Sequence, residues 1–194
     1  MIITYQMLLE KLYDYKSPDN KIMRMIEDKE IIKLTKGIYE TSTLVPGYLL
    51  AGAIFGLSYL SLDYALSLYG LIPERVVTYT SVTSNTGKTK TYTNYFGTYT
   101  YRDIPLAAYP YGVKFIQEGD YSYWIATPCK ALCDKLYTMS PCKNKKELRY
   151  LLFDDLRIDE DEFNKLDKKL LLDLCPLYKS TNLKLLRKVI LNGF

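Results

Sequence analysis

Ser17–Glu40 reads SPDNKIMRMIEDKEIIKLTKGIYE and changes its hydrophobic period halfway along. Ser17-Pro18 looks like an N-cap followed by a first helical residue, and Asp19 lies where negative charge favours a helix start. Ile22, Met25 and Ile26 recur on one helical face, with Lys21, Arg24 and Asp28 on the other. Then Ile31-Ile32-Lys33-Leu34, a Thr35-Lys36-Gly37 turn and Ile38-Tyr39-Glu40 read as the two short strands of a hairpin. Upstream, Thr4 can cap a helix that carries Met7, Leu8, Leu12 and Tyr15. Helix, turn, helix and hairpin within about 40 residues is the element order of a winged helix-turn-helix.

Beyond about Val45 the texture changes twice. Two helices are expected at Tyr48–Phe55 and Ser61–Tyr69, the second capped by Ser58 or Ser61 and closed by Gly70. From Val76 to Ala126 threonine, tyrosine and β-branched residues dominate, which predicts several antiparallel strands. Turns fall at Asn85–Lys88, near Gly97 and at Glu118-Gly119-Asp120. Thr127-Pro128 repeats the cap signal and opens a helix to about Tyr137. From Pro141 the chain reads as helical and charged: Asn144 caps Lys145–Asp155, and Asp159–Glu162 begins a helix reaching Leu174. Pro176 stops that helix, and Thr181 caps the last one. The expected class is α+β, with a winged helix-turn-helix-like DNA-binding domain over residues 1–45. Residues 46–194 form a larger domain of helices packed on an antiparallel sheet, with a helical C-terminus.

Composition narrows the chemistry. The 194 residues include no histidine, four cysteines and twenty tyrosines, with a formal net charge of +4. Without histidine there is no Ser-His-Asp or Cys-His catalytic unit, no His-based zinc site and no 2-His-1-carboxylate iron site. Cys129, Cys133, Cys142 and Cys175 lack the spacing of a zinc ribbon or an iron–sulfur run, so they read as reduced, buried hydrophobes of a cytoplasmic protein. The N-terminus is amphipathic and unlike a signal peptide. The longest apolar stretch, Tyr48 to Leu60, is short of the roughly 20 residues that cross a bilayer, so no membrane association is expected. Gly87-Lys88-Thr89 lacks the leading glycine of a phosphate-binding loop. Asp154-Asp155 and Asp159–Glu162 read as solvated helix faces, as does the basic face Lys184, Arg187 and Lys188. Asp63, Asp103 and Asp134 are isolated in sequence. No cofactor or metal is expected, and no catalytic residue is assigned.

Charge totals do not single out a basic domain. Residues 1–45 hold seven Lys/Arg and seven Asp/Glu, whereas residues 141–194 hold twelve against nine. Position is more informative. The second helix of a winged module enters the major groove by its N-terminal residues, and its wing reaches the backbone. The candidate DNA-binding residues are therefore Asn20, Lys21, Arg24, Lys33 and Lys36. Lys33 and Lys36 would meet phosphates, while Asn20 and Arg24 could read adenine and guanine.

Four segments together carry a family likeness. Lys36-Gly37-Ile38-Tyr39-Glu40, then Leu57–Glu74 (LSYLSLDYALSLYGLIPE), Thr80-Ser81-Val82-Thr83 and Ala126–Tyr137 (ATPCKALCDKLY) together resemble the AbiEi-type antitoxins and regulators of type IV toxin–antitoxin, or abortive infection, systems. The resemblance implies a non-enzymatic transcriptional regulator that binds promoter DNA through its winged module. It also implies that the larger domain counteracts a nucleotidyltransferase-like toxin. Two alternatives from other classes stay open: a histidine-free, metal-dependent nuclease, and a pure protein-interaction module with a degenerate winged helix.

Overall fold

The computed structural model describes residues 1–84 and 86–193. It is a mixed α+β molecule with a three-stranded and a six-stranded sheet. The chain opens with β1 (Ile2–Thr4), α1 (Tyr5–Lys11), α2 (Pro18–Glu27), β2 (Ile32–Thr35) and β3 (Ile38–Glu40). The Thr4 hydroxyl accepts from the Met7 amide at 3.2 Å, as its cap role requires. Ser17 occupies the N-cap of α2, but its hydroxyl makes no capping bond, leaving Pro18 and Asp19 to start that helix. β1 is an addition to the expected elements. Ile2-Ile3-Thr4 is too short to declare itself in sequence, yet it pairs antiparallel with β3, Ile2 opposite Glu40 and Thr4 opposite Ile38. The small sheet thus runs β1-β3-β2, and Ile3, Leu8, Leu12, Ile22, Ile31 and Tyr39 enclose its own hydrophobic cluster.

A 3₁₀ turn (Gly47–Leu50) leads into α3 (Ala51–Ile54), followed by β4 (Tyr59–Leu60) and α4 (Leu62–Leu68). The expected eight-residue helix at Tyr48–Phe55 is therefore a 3₁₀ turn plus one α-turn. Gly47 is at a close approach: a Cβ there would sit 2.4 Å from the Tyr79 ring, and its carbonyl accepts from the Tyr99 hydroxyl at 2.9 Å. Ser61 is the N-cap residue of α4, yet its hydroxyl is drawn inward to Asp134 instead of capping the helix. Gly70 closes α4 in the left-handed region at φ +72°, as expected.

The large sheet contains β5 (Tyr79–Thr83), β6 (Lys90–Asn94), β7 (Gly97–Asp103), β8 (Val113–Glu118) and β9 (Tyr121–Ala126), in the order β6-β7-β5-β4-β9-β8. It is mixed, which corrects the all-antiparallel expectation: β5 runs parallel to β7, and β4 parallel to β9. Composition carries no strand direction, and β4 was hidden inside an apolar run that reads as helix. The first of these strands begins at Tyr79, not Val76, and Val77 is exposed. The turns after Asn94 and Glu118 fall as expected; of the Asn85–Lys88 turn, Asn85 lies outside the described residues.

The helices α5 (Pro128–Thr138) and α6 (Lys145–Tyr150) begin at Thr127 and Asn144, whose side chains accept the Lys130 and Glu147 amides. A π-turn, Leu151–Asp155, extends α6. The single helix expected to reach Leu174 is two: α7 (Glu160–Asn164) and α8 (Lys168–Leu174), because the Asp167 side chain accepts from the Leu170 amide and starts a new helix. In α9 (Thr181–Asn192) the cap position falls to Ser180, one residue before Thr181. These helices and the sheet share one core cluster that runs from Leu50 to Val189 and also takes in Leu34 from the hairpin. Asn94 Nδ2 donates to the Leu34 carbonyl at 3.2 Å, so the hairpin leans on the large sheet. Among the described residues, no helix is long and apolar enough to cross a membrane.

Candidate functional site

The five residues singled out for DNA contact lie on two elements. Asn20 and Arg24, four positions apart on α2, share one helix face and are both exposed. Lys21 sits one step round, partly buried, with its ammonium 3.6 Å from the Glu30 carboxylate. Lys33 projects from β2 to solvent between the buried Ile32 and Leu34, and Lys36 occupies the exposed turn. No hydrogen bond or ion pair joins the helix group to the hairpin group among the described residues. Asn20, Arg24, Lys33 and Lys36 have no side-chain partner there, which leaves their donors available to a ligand. Acidic groups adjoin them. The Asp19 carboxylate accepts from the Tyr5 hydroxyl at 2.6 Å, and that bond raises the phenol's pKa.

Two groups set aside on sequence grounds acquire structural roles. The Asp103 carboxylate accepts from the Thr83 hydroxyl, the Thr86 hydroxyl and amide, and the Gly87 amide. Burial works against its charge, but these donors outweigh it and hold its pKa below the ordinary value. The Thr86 and Gly87 amides at the start of the Gly87-Lys88-Thr89 loop are therefore spent on a carboxylate, not presented to a phosphate. Asp63 pairs with Lys135 at 2.7 Å. Among the described residues, no three acids or cysteines come together as a metal site.

A cluster that linear reading missed lies in the core. Lys130 and Asp134, four apart on α5, are both fully buried and 3.1 Å from each other. The Lys130 ammonium also donates to the Ala108 carbonyl (2.7 Å) and the Tyr178 hydroxyl (2.6 Å). The Tyr178 hydroxyl donates a hydrogen bond to one Asp134 oxygen at 2.6 Å, and the other oxygen accepts from Tyr59 (3.0 Å) and Ser61 (2.7 Å). The signal available in sequence was a charged pair at helical spacing among Ala131, Leu132, Cys133 and Leu136. Burial drives the Lys130 pKa down and those of Tyr59 and Tyr178 up. All three ammonium donors are satisfied and closed from solvent, so the cluster ties α5 to β4 and the Tyr178 turn and offers no accessible nucleophile. The four cysteines are buried and unpaired, as expected; burial pushes the Cys129 thiol up to about 11.

Tyr59 also lines a cleft of about 560 Å³, floored by β4, β8 and β9 and walled by Gly52, Leu57 and Tyr109. At its mouth Phe115 and Trp124, 54% and 51% exposed, meet with ring centroids 5.0 Å apart. Neither aromatic was a candidate in the sequence. No protein-family model matches this chain, and no curated protein matches it significantly.

Proposed function

We propose that the chain is an antitoxin-like transcriptional regulator of the cytoplasm. Residues 1–45 bind promoter DNA as a winged helix-turn-helix, and residues 46–194 counteract a nucleotidyltransferase-type toxin. One observation carries the DNA half: two helices lie between β1 and a hairpin, and the strands order as β1-β3-β2. A strand preceding the first helix, closed against the wing, gives the module a third structural support beyond its two helices. It leaves α2 free to enter a major groove with Asn20 and Arg24 facing the bases and Lys33 and Lys36 reaching phosphates. The toxin half rests on the AbiEi-type resemblance of Leu57–Glu74 and Ala126–Tyr137.

A gel-shift assay against the DNA upstream of the chain's own coding region tests the reading. The wild-type chain is expected to bind with affinity that falls as salt rises, and Lys21→Ala/Arg24→Ala/Lys36→Ala to lose that binding. Absence of salt-sensitive binding, or equal binding by the triple variant, rejects the DNA half. A protein-interaction reading is favoured by one feature, the acidic neighbours of α2: Lys21 is already engaged by Glu30, and Asp19 stands at the helix start where a phosphate would approach. It predicts a folded chain that binds a protein partner and no DNA.

A further inference from the structure

The two edges of the large sheet are treated differently. β6 lies against the hairpin through Asn94, whereas among the described residues β8 has β9 as its only sheet neighbour and exposes Lys114, Phe115, Gln117 and Glu118. An open six-residue edge is a template for another strand. We propose that this edge pairs with a second copy of the chain, β8 against β8 in antiparallel register about a two-fold axis at Ile116.

The charges choose that arrangement. Lys114 and Glu118 stand two residues either side of Ile116, on one face of the strand. With the dyad at Ile116, each Lys114 faces the Glu118 of the partner copy, twice over. A parallel pairing sets lysine against lysine and glutamate against glutamate. Moving the dyad to Phe115 leaves both charges without a counterpart, and moving it to Gln117 leaves Glu118 facing Ile116 and sets Lys114 against Asp120, which lies in the turn beyond the strand. The strand is thus complementary to itself in one direction and one register. The Glu118 carboxylate takes the Tyr48 hydroxyl at 2.7 Å on one oxygen and keeps the other for a cross-strand lysine. On the opposite face Phe115 is diagonal to its own copy, within reach of aromatic side chains, and Trp124 stands beside it. The joined edge makes one continuous twelve-stranded sheet, counted as two copies of six. It would also present two copies of α2 related by a dyad, the symmetry that a palindromic site requires.

Sedimentation equilibrium of the full chain, without DNA, tests this independently of the function proposed above. The wild type is expected to dimerise reversibly. Lys114→Glu and Glu118→Lys, both at exposed positions, should each weaken the dimer about tenfold or more, since two facing pairs become repulsive. The Lys114→Glu/Glu118→Lys double variant should restore it, and so should an equimolar mixture of the two single variants. Circular dichroism and melting temperature establish that each variant is folded. A wild type that stays monomeric up to about 1 mM overturns the proposal. So does a dimer that both single variants leave unchanged, or folded variants that neither the double substitution nor mixing restores.

Discussion

Residues 1–40 fold around six clustered buried apolar side chains, from Ile3 to Tyr39, and send most of their polar groups to the surface, Glu40 being the buried exception. The rest of the molecule builds one large cluster from Leu50 to Val189 and places a lysine, an aspartate and several phenols inside it. A six-residue core supplies little apolar surface to offset desolvation, and the one carboxylate it buries, Glu40, is held at the module's edge by the Thr41 and Ser42 amides. The larger body can hold a charged pair inside, provided that every donor and acceptor is matched. The contrast is one of degree: Asn20, Arg24, Lys33 and Lys36 of the module face solvent, whereas Lys130 and Asp134 brace the body from inside.

Alkaline titration separates the two regions most strongly. Burial raises the phenols of Tyr59, Tyr99, Tyr101 and Tyr178, all in the body. Hydrogen-bonded and half-buried Tyr48 and Tyr121 are pushed up to about 12, mainly by burial. A group whose folded pKa is raised contributes stability that is whole below its unfolded value and lost above it. Each fully buried phenol therefore costs about 1.4 kcal/mol per pH unit above about pH 10. Lys130 acts in the opposite sense: its folded pKa is lowered, so its contribution grows with pH up to its unfolded value near about 10.4. Four buried phenols outweigh one lysine. Body amides should lose hydrogen-exchange protection above about pH 10 before those of β1 and α1 do. Protection that persists in the body to about pH 12, or is lost first in the module, contradicts this.

Asp134→Asn probes the same bracing at one position. It keeps the shape of the side chain and strands the Lys130 ammonium in the core without a counter-charge. The expected loss is about 3–5 kcal/mol in denaturant unfolding. Lys130→Met added to Asp134→Asn should recover part of it, because no buried charge remains. A loss under about 1 kcal/mol for the single change shows that the cluster does not brace the body.

The two regions were also legible to different degrees. The module's helices and hairpin followed from Thr4, Pro18 and the change of period after Glu30, because each signal is local. β1 did not, since three residues become a strand only when Glu40 and Ile38 lie beside them. In the body, the Thr-Pro cap of α5 and the tyrosine-rich strands were readable, but strand direction was not. Nor was the fate of Ser61, whose hydroxyl caps a helix in sequence logic and binds Asp134 in space. The candidate DNA residues could be named from helical phase and wing position. The Lys130–Asp134 cluster and the β8 edge emerge only from contacts 22 to 75 residues apart and from sheet order.

The smallest effect tests the proposed DNA contact and its place in the module. Lys33 is an exposed, unpaired cation on β2, so Lys33→Ala should change folding stability by no more than about 0.5 kcal/mol. If it meets one phosphate, the slope of log K against log salt should fall in magnitude by about 0.9, with affinity reduced alike on every sequence. Lys184→Ala is the matching change in the body: Lys184 is also exposed and unpaired, on α9, where the C-terminal excess of positive charge lies. Under the module reading its slope stays at the wild-type value. A slope lowered by Lys184→Ala and untouched by Lys33→Ala would move the phosphate contacts to the body. The module would then be a packing unit whose exposed polar residues serve another partner, and the division between contact and bracing would have to be redrawn along α9.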